Sequence, residues 1–124
     1  MAHLAEDLAV TFEEDRPGML AKAIGCVSGA GINIDGYAEI NGVAHILTTD
    51  LAGTRRCLTD SGFRIIQEQH VVLVPVADEP GAAARVFQRI AEAHINVRYS
   101  YLATRNRLVI AADNPKAVIK AVSD

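Results

Sequence analysis

Aromatic residues are scarce in this chain: three Tyr, three Phe and no Trp among 124 residues. Proteins that hold single-stranded nucleic acid stack bases on such side chains and attract the backbone with clustered Lys and Arg. This chain is poor in both. Its 12 Lys and Arg are interspersed with 15 Asp and Glu, the formal net charge is −3, and no run of five like charges occurs. Tyr99 and Tyr101 alternate near Arg98, Arg105 and Arg107, but a packed or interface pair accounts for them better than a base-stacking surface. Nucleic acid is excluded as a partner.

Long apolar runs are also lacking. No stretch approaches the roughly 18 residues of a membrane span, and the N-terminus has no charged-then-apolar leader pattern. No membrane partner is expected, and the cytoplasm is the default location. Cysteine is rare too. Cys26 falls in the first helical pattern and Cys57, far along the chain, in the second, and two reduced thiols are the expectation. No CxxC and no Cys/His pair at zinc spacing exists. His3, His45, His70 and His94 are scattered. There is no Ser-His-Asp order and no paired-carboxylate motif, and Gly29, Gly31 and Gly36 do not make a dinucleotide fingerprint. Glu13-Glu14-Asp15 reads as a short solvated loop. No catalytic residue, metal or cofactor is expected, and the protein is read as a non-enzyme.

What the chain does have is a repeat. Half the residues are hydrophobic, enough for a packed core. Asp15-Arg16-Pro17-Gly18 opens one copy and Asp78-Glu79-Pro80-Gly81 the other, 63 residues on. Ala30-Gly31-Ile32-Asn33-Ile34 is matched at the same offset by Ala93-His94-Ile95-Asn96-Val97, and Asp50 by Asp113. One supersecondary unit is used twice.

Within the first copy, Leu8 to Glu13 alternates as a strand with one buried face. Asp15 suits a helix cap and Pro17 the first helical turn. Leu20, Ala23, Ile24, Val27 and Ala30 then form one apolar stripe, closed by Gly31. Ile32 to Ile40 and Val43 to Thr49 flank Asn41-Gly42, the strongest hairpin signal present. Asp50 caps a second helix, Ser61-Gly62 ends it, and Phe63 to Gln67 is a fourth strand. In the second copy Val71 to Val76 reads as a strand buried on both faces or centrally placed. A helix follows over Pro80 to Ala93 with Ala83, Val86, Phe87 and Ile90 inward. Strands over Ile95 to Ala103 and Arg107 to Ala112 come next. A last helix, capped by Asp113 or Asn114, carries Val118, Ile119 and Val122. The second copy has no fourth strand, so something else must cover that edge. The fold class is α+β: two ferredoxin-like βαββαβ units, 1–68 and 69–124, with helices packed on antiparallel sheet.

The turn before each first helix is the candidate site. A helix start presents N–H groups without internal acceptors and a partial positive charge, which suits a carboxylate. Gly18 and Gly81 let a ligand approach the backbone. Asn33 and Asn96 each offer a donor and an acceptor, which suits a zwitterion. His94 stands where the first copy has Gly31. A plain left-handed turn residue is favoured there over a residue lining the ligand loop.

Asp-x-Pro-Gly, an apolar helix and Gly-Ile-Asn-Ile inside a βαββαβ unit resemble the ACT domain family, twice over nearly the whole chain. The resemblance implies a ferredoxin-like fold and small-molecule binding, mostly of amino acids, between paired units. It implies contacts from Arg16, Gly18, Met19 and Leu20 with Asn33 and Ile34. In the second copy it implies Gly81, Ala82 and Ala83, within Glu79 to Ala83, with Asn96 and Val97. It further implies a stand-alone sensor or regulatory subunit with no activity of its own and a metabolic enzyme as partner, while the edge left without a last strand predicts a homodimer or higher homo-oligomer. The alternative is an interaction subunit that assembles such an enzyme, its ligand sites lapsed.

Overall fold

The structure is a computed structural model of the chain and describes residues 1–12 and 16–123. The expected Asp15 cap and the acidic loop of Glu13, Glu14 and Asp15 lie outside the described residues. Ten elements follow one another: β1 (His3–Thr11), α1 (Met19–Gly29), β2 (Ile34–Ile40), β3 (Val43–Thr48), α2 (Leu51–Asp60), β4 (Arg64–Pro75), α3 (Ala82–Glu92), β5 (Tyr99–Ala103), β6 (Arg107–Ala111) and α4 (Pro115–Val122). The strands take the order β2-β3-β1-β4-β6-β5 in one six-stranded sheet. The pairs β1–β3, β2–β3, β4–β6 and β5–β6 are antiparallel. The fold class is the expected α+β, with ferredoxin-like antiparallel sheet and four helices.

Several strand boundaries differ from the sequence reading: β2 starts at Ile34 and not Ile32, and β5 at Tyr99 and not Ile95. The expected strands at Phe63 to Gln67 and Val71 to Val76 are one continuous strand of 12 residues. Glu68-Gln69-His70 contains no Gly, Pro, Asn or Asp, so nothing there breaks extended backbone. Along β4 the burial alternates to His70, and then Val71, Val72, Leu73 and Val74 are all buried. β1 starts at His3, not Leu8, and Asp7, Leu8, Ala9 and Val10 are buried on both faces.

The chain divides into two compact units, Glu6–Gln69 and Met1–Ala5 with His70–Asp124. In the first, Leu8, Val10, Ala44 and Ile46 of the sheet meet Ala23 and Val27 of α1 and Leu58 of α2, with Phe63 beside them. Burying such an aliphatic side chain fully stabilises by about 1.5–3 kcal/mol. Phe12 and Phe63 meet edge-on with centroids 5.7 Å apart. In the second unit Val72, Val74, Leu108, Ile110 and Ala112 of the sheet side meet Ile90 of α3 and Val118 of α4. Val86 and Phe87 also pack there, as expected. Ala83 is exposed and its neighbour Ala82 is buried, because the inward face runs through Ala82, Val86 and Ile90 at i, i+4 spacing. The edge that lacks a strand after α4 is met by the chain's first residues: Met1–Ala5 belong to this unit, and Ala2 packs on its core.

The turns follow local chemistry. Asn41 (φ 54°) and Gly42 (φ 79°) make the left-handed two-residue hairpin turn, and Arg105 (φ 60°) and Asn106 (φ 52°) repeat it between β5 and β6. α2 is capped by Asp50, which accepts from Gly53 N at 2.9 Å, and α4 by Asn114, which accepts from Ala117 N at 3.1 Å. The structural counterpart of Asp50 is therefore Asn114, 64 residues on, and not Asp113. Core pairs such as Leu8/Val72, Ala44/Leu108 and Ile46/Ile110 share this spacing. The Pro-Gly turns and the first helices keep 63, as Val27/Ile90 shows.

Candidate functional site

The Pro-Gly turns sit ahead of the helices. Gly18 (φ 91°, ψ −8°) and Gly81 (φ 89°, ψ −12°) are left-handed N-cap residues. Met19 N donates to Arg16 O at 3.4 Å, and Ala82 N to Glu79 O at 3.3 Å. Proline then glycine with these angles is a type II turn, in which the third residue needs positive φ. This corrects the expectation that Pro17 and Pro80 occupy the first helical turn. The helices grow directly from the turns: Lys22 N donates to Gly18 O at 2.9 Å and Arg85 N to Gly81 O at 3.0 Å.

Glycine carries no capping side chain, so neither α1 nor α3 has the side-chain cap that α2 and α4 possess. Each start therefore offers backbone donors and the positive end of a helix dipole to an incoming anion. The two starts are not equivalent. A Cβ placed on Gly18 would meet nothing within 4 Å, whereas on Gly81 it would meet Arg85 Nη1 at 3.2 Å. Arg85 is held there by Glu79 Oε1 at 3.1 Å.

Each turn borders a cleft inside its own unit. The first, of about 220 Å³, is lined by Thr11, Arg16, Met19, Lys22, Ser61, Gly62 and Phe63. Lys22 Nζ sits 5.5 Å from the centre of the Phe63 ring, and Arg16 Nε lies 3.4 Å from Met19 Sδ. The second, of about 250 Å³, runs along the end of β4 and includes Ala82, Arg85, Arg89 and Val122. Arg89 donates to Val122 O at 3.2 Å. Lys22 and Arg85 occupy matching positions, so each cleft carries a cation one turn into its helix.

The asparagines lie elsewhere. Ile34 pairs with Thr48 and Ile40 with Val43, while Val43 also pairs with Thr11. Asn33 thus stands at the end of the sheet opposite Thr11 and the Gly18 turn. Seven residues of β2 separate the two ends, about 20 Å at strand rise. Asn33 is exposed, and its amide nitrogen donates to Asp35 Oδ1 at 3.0 Å. A carboxylate only accepts, so this bond orients the amide oxygen as the remaining acceptor. Asp35 is 9% exposed and sits at the register shift between Ile34 and Gly36. Its buried carboxylate was missed from sequence; an acidic residue two positions after the asparagine was the available signal. Asn96 is exposed too, but Arg98 stands in the place of Asp35, paired with Asp113 at 3.4 Å. Ile34 packs on the first core and Val97 on the second. Leu20 is half-buried on α1 and Ala83 exposed on α3.

His94 has φ 58° against 77° for Gly31, as the turn reading expects. Its N–H donates to Ala91 O at 2.9 Å and that of Ile95 to Ile90 O at 3.2 Å, matching Gly31 to Ser28 and Ile32 to Val27. Both helices close with the same left-handed C-terminal motif. His45 Nδ1 lies 3.3 Å from Oδ2 of buried Asp7. Among the described residues no group of three or more His, Cys, Asp or Glu could hold a metal ion, and no helix is long and apolar enough to cross a membrane.

No protein-family model matches this chain, and no curated protein matches it by sequence. Solved structures do. A protein from Bacteroides thetaiotaomicron superposes with a TM-score of 0.79 at 23% identity, covering 98% of this chain and 88% of its own. The ligand-free regulatory subunit of aspartate kinase from Thermus thermophilus gives 0.69 at 22% identity, covering 98% and 93%. Aspartokinase III of E. coli, solved with lysine and aspartate, gives 0.62 at 18% identity over 97% of this chain but 31% of its own. At these identities the likeness establishes the fold.

Proposed function

We propose that this chain is a regulatory module that binds a free amino acid and acts on a metabolic enzyme. The observation that carries this reading is the open, uncapped helix start at Gly18. It offers backbone donors and positive potential to a carboxylate, with no side chain of the described residues over Gly18. The acceptor half of the site is Asn33, whose oriented amide oxygen, beside the Asp35 carboxylate, suits an ammonium group. The regulatory subunit of Thermus thermophilus aspartate kinase and the lysine- and aspartate-bound E. coli aspartokinase III share the fold, which supports both the regulatory role and the ligand class.

One amino acid cannot span the length of the sheet between Gly18 and Asn33 of the same unit. In this reading the site is completed by a second copy of the chain. β2 is an edge strand of the sheet, and it exposes Tyr37 and Ile40. Antiparallel pairing of β2 with β2 of a second copy places the Asn33 end of one beside the Gly18 end of the other. It also covers an open edge.

A thermal-shift screen against the amino acids tests this, because a ligand that binds only the native state raises the melting temperature. At least one amino acid raises it in a concentration-dependent way. A flat response to all of them supports instead an interaction subunit that uses the same apolar edge.

A further inference from the structure

The two cysteines, 31 positions apart in sequence, are neighbours in space. Cys26 Sγ lies 3.4 Å from Cys57 Sγ. One is on α1 and the other on α2, both half-buried and both packed against the first unit's core. Each thiol also reaches back to a carbonyl of its own helix, Ala23 O at 3.2 Å and Thr54 O at 3.4 Å. Both thiols are free, as expected, but helix packing brings together what the sequence holds apart. The second unit contains no cysteine.

We propose that Cys26 and Cys57 form a reversible disulfide that ties α1 to α2, making the first unit redox-responsive. A disulfide needs its sulfurs about 2.05 Å apart, so the side chains must close roughly 1.4 Å from the reduced contact. The oxidant is a small-molecule disulfide of the glutathione class. In the first exchange a cysteine thiolate attacks one sulfur of the oxidant, and one thiol leaves. In the second the other cysteine attacks the mixed disulfide, and a second thiol leaves. Two protein thiols and one oxidant disulfide thus become one protein disulfide and two small thiols, with no net change in protons or electrons.

Burial, with the hydrogen bond shared with Cys26, pushes the Cys57 thiol up to about 11, so it ionises poorly. The consequence of the disulfide reaches the cleft of the first unit. Cys26 lies two helical turns beyond Met19, and Cys57 one turn before Ser61, and both Met19 and Ser61 line that cleft. This inference does not depend on the amino-acid reading.

The test uses the full chain, reduced and then equilibrated with glutathione disulfide at set ratios to glutathione, acid-quenched and alkylated. Intact mass and peptide mapping are the readouts. The expected product is a single chain lighter by two hydrogens, with a Cys26–Cys57 cross-linked peptide and no bound glutathione. Its melting temperature rises by about 5 °C or more over the reduced form. C26S and C57S each stop at a single glutathione adduct and form no link within the chain. Wild type that carries glutathione on both cysteines, links only between chains, or stays reduced where the urea-unfolded chain oxidises would overturn the proposal. The wild-type peptide map decides this without the variants.

Discussion

Arg85 folds back over Gly81, its Nη1 3.2 Å from where a Cβ on that glycine would stand, while the space above Gly18 is open. The two Pro-Gly turns share one backbone and differ in access. That difference, with Arg98 in the place of Asp35, ranks the first candidate site above the second. Arg85→Ala should therefore leave affinity at the first turn unchanged, and any gain in ligand stoichiometry should come from the second. Titration calorimetry of the variant reads both. A loss of the first-site affinity would contradict the ranking.

Gly18→Ala should destabilise through backbone conformation, because φ is 91° and no atom of the described residues stands within 4 Å of the new methyl. Left-handed backbone costs a non-glycine residue about 1–2 kcal/mol. Urea unfolding should show a lower midpoint at an unchanged slope. A neutral result would mean that the turn relaxes, and the type II assignment would fail.

His94 holds the same left-handed position as Gly31, at φ 58°. His94→Gly should stabilise by about 1 kcal/mol, since glycine relieves that strain. A destabilised variant would show that the imidazole makes contacts worth more than the turn costs.

Two pH responses follow from named groups. The side-chain bond from Arg55, at 2.8 Å and 2.6 Å, holds the Glu68 carboxyl below its ordinary 4.5. Its contribution is present above the ordinary carboxylate range and lost as pH falls through the lowered value. The pair is solvent-exposed, so the effect is small. Cys57 works in the opposite direction. Its thiol is raised from 9.0 to about 11 by burial and by Cys26. The folded chain keeps that proton longer than the unfolded one, so stability falls as pH rises from 9 to 11. Denaturant midpoints of wild type and C57S across this window test the second effect: the variant should give the flatter profile, and identical profiles would contradict it.

Much of this fold is legible in the residues. Asn41-Gly42, the Pro-Gly pairs, Gly31 and Asp50 each dictate local backbone, and they place the turns correctly. The stripe of Ala23 and Val27 marks the buried face of α1. What escapes a reading of the chain depends on tertiary placement. The lack of a breaker in Glu68-Gln69-His70 permits a continuous strand without dictating it, and nothing local says that Ala2 belongs with the second core. The shift from 63 to 64 residues between repeats shows only when buried positions are matched. Of the candidate site, the turn and the asparagine are each visible, but their separation by the length of β2 follows from strand register. The Cys26–Cys57 contact requires the packing of two helices.

The central claim is that an amino acid bridges the Gly18 turn and Asn33 of two copies. Titration calorimetry of a screened amino acid into wild type, Asn33→Ala and Asn96→Ala tests it most directly. Losing a hydrogen bond to a charged group should cost roughly 1.5–3 kcal/mol, about ten- to a hundredfold in affinity. The account expects that loss for Asn33→Ala and a near-wild-type isotherm for Asn96→Ala. Unchanged binding in Asn33→Ala, or no heat from any amino acid with wild type, would contradict it.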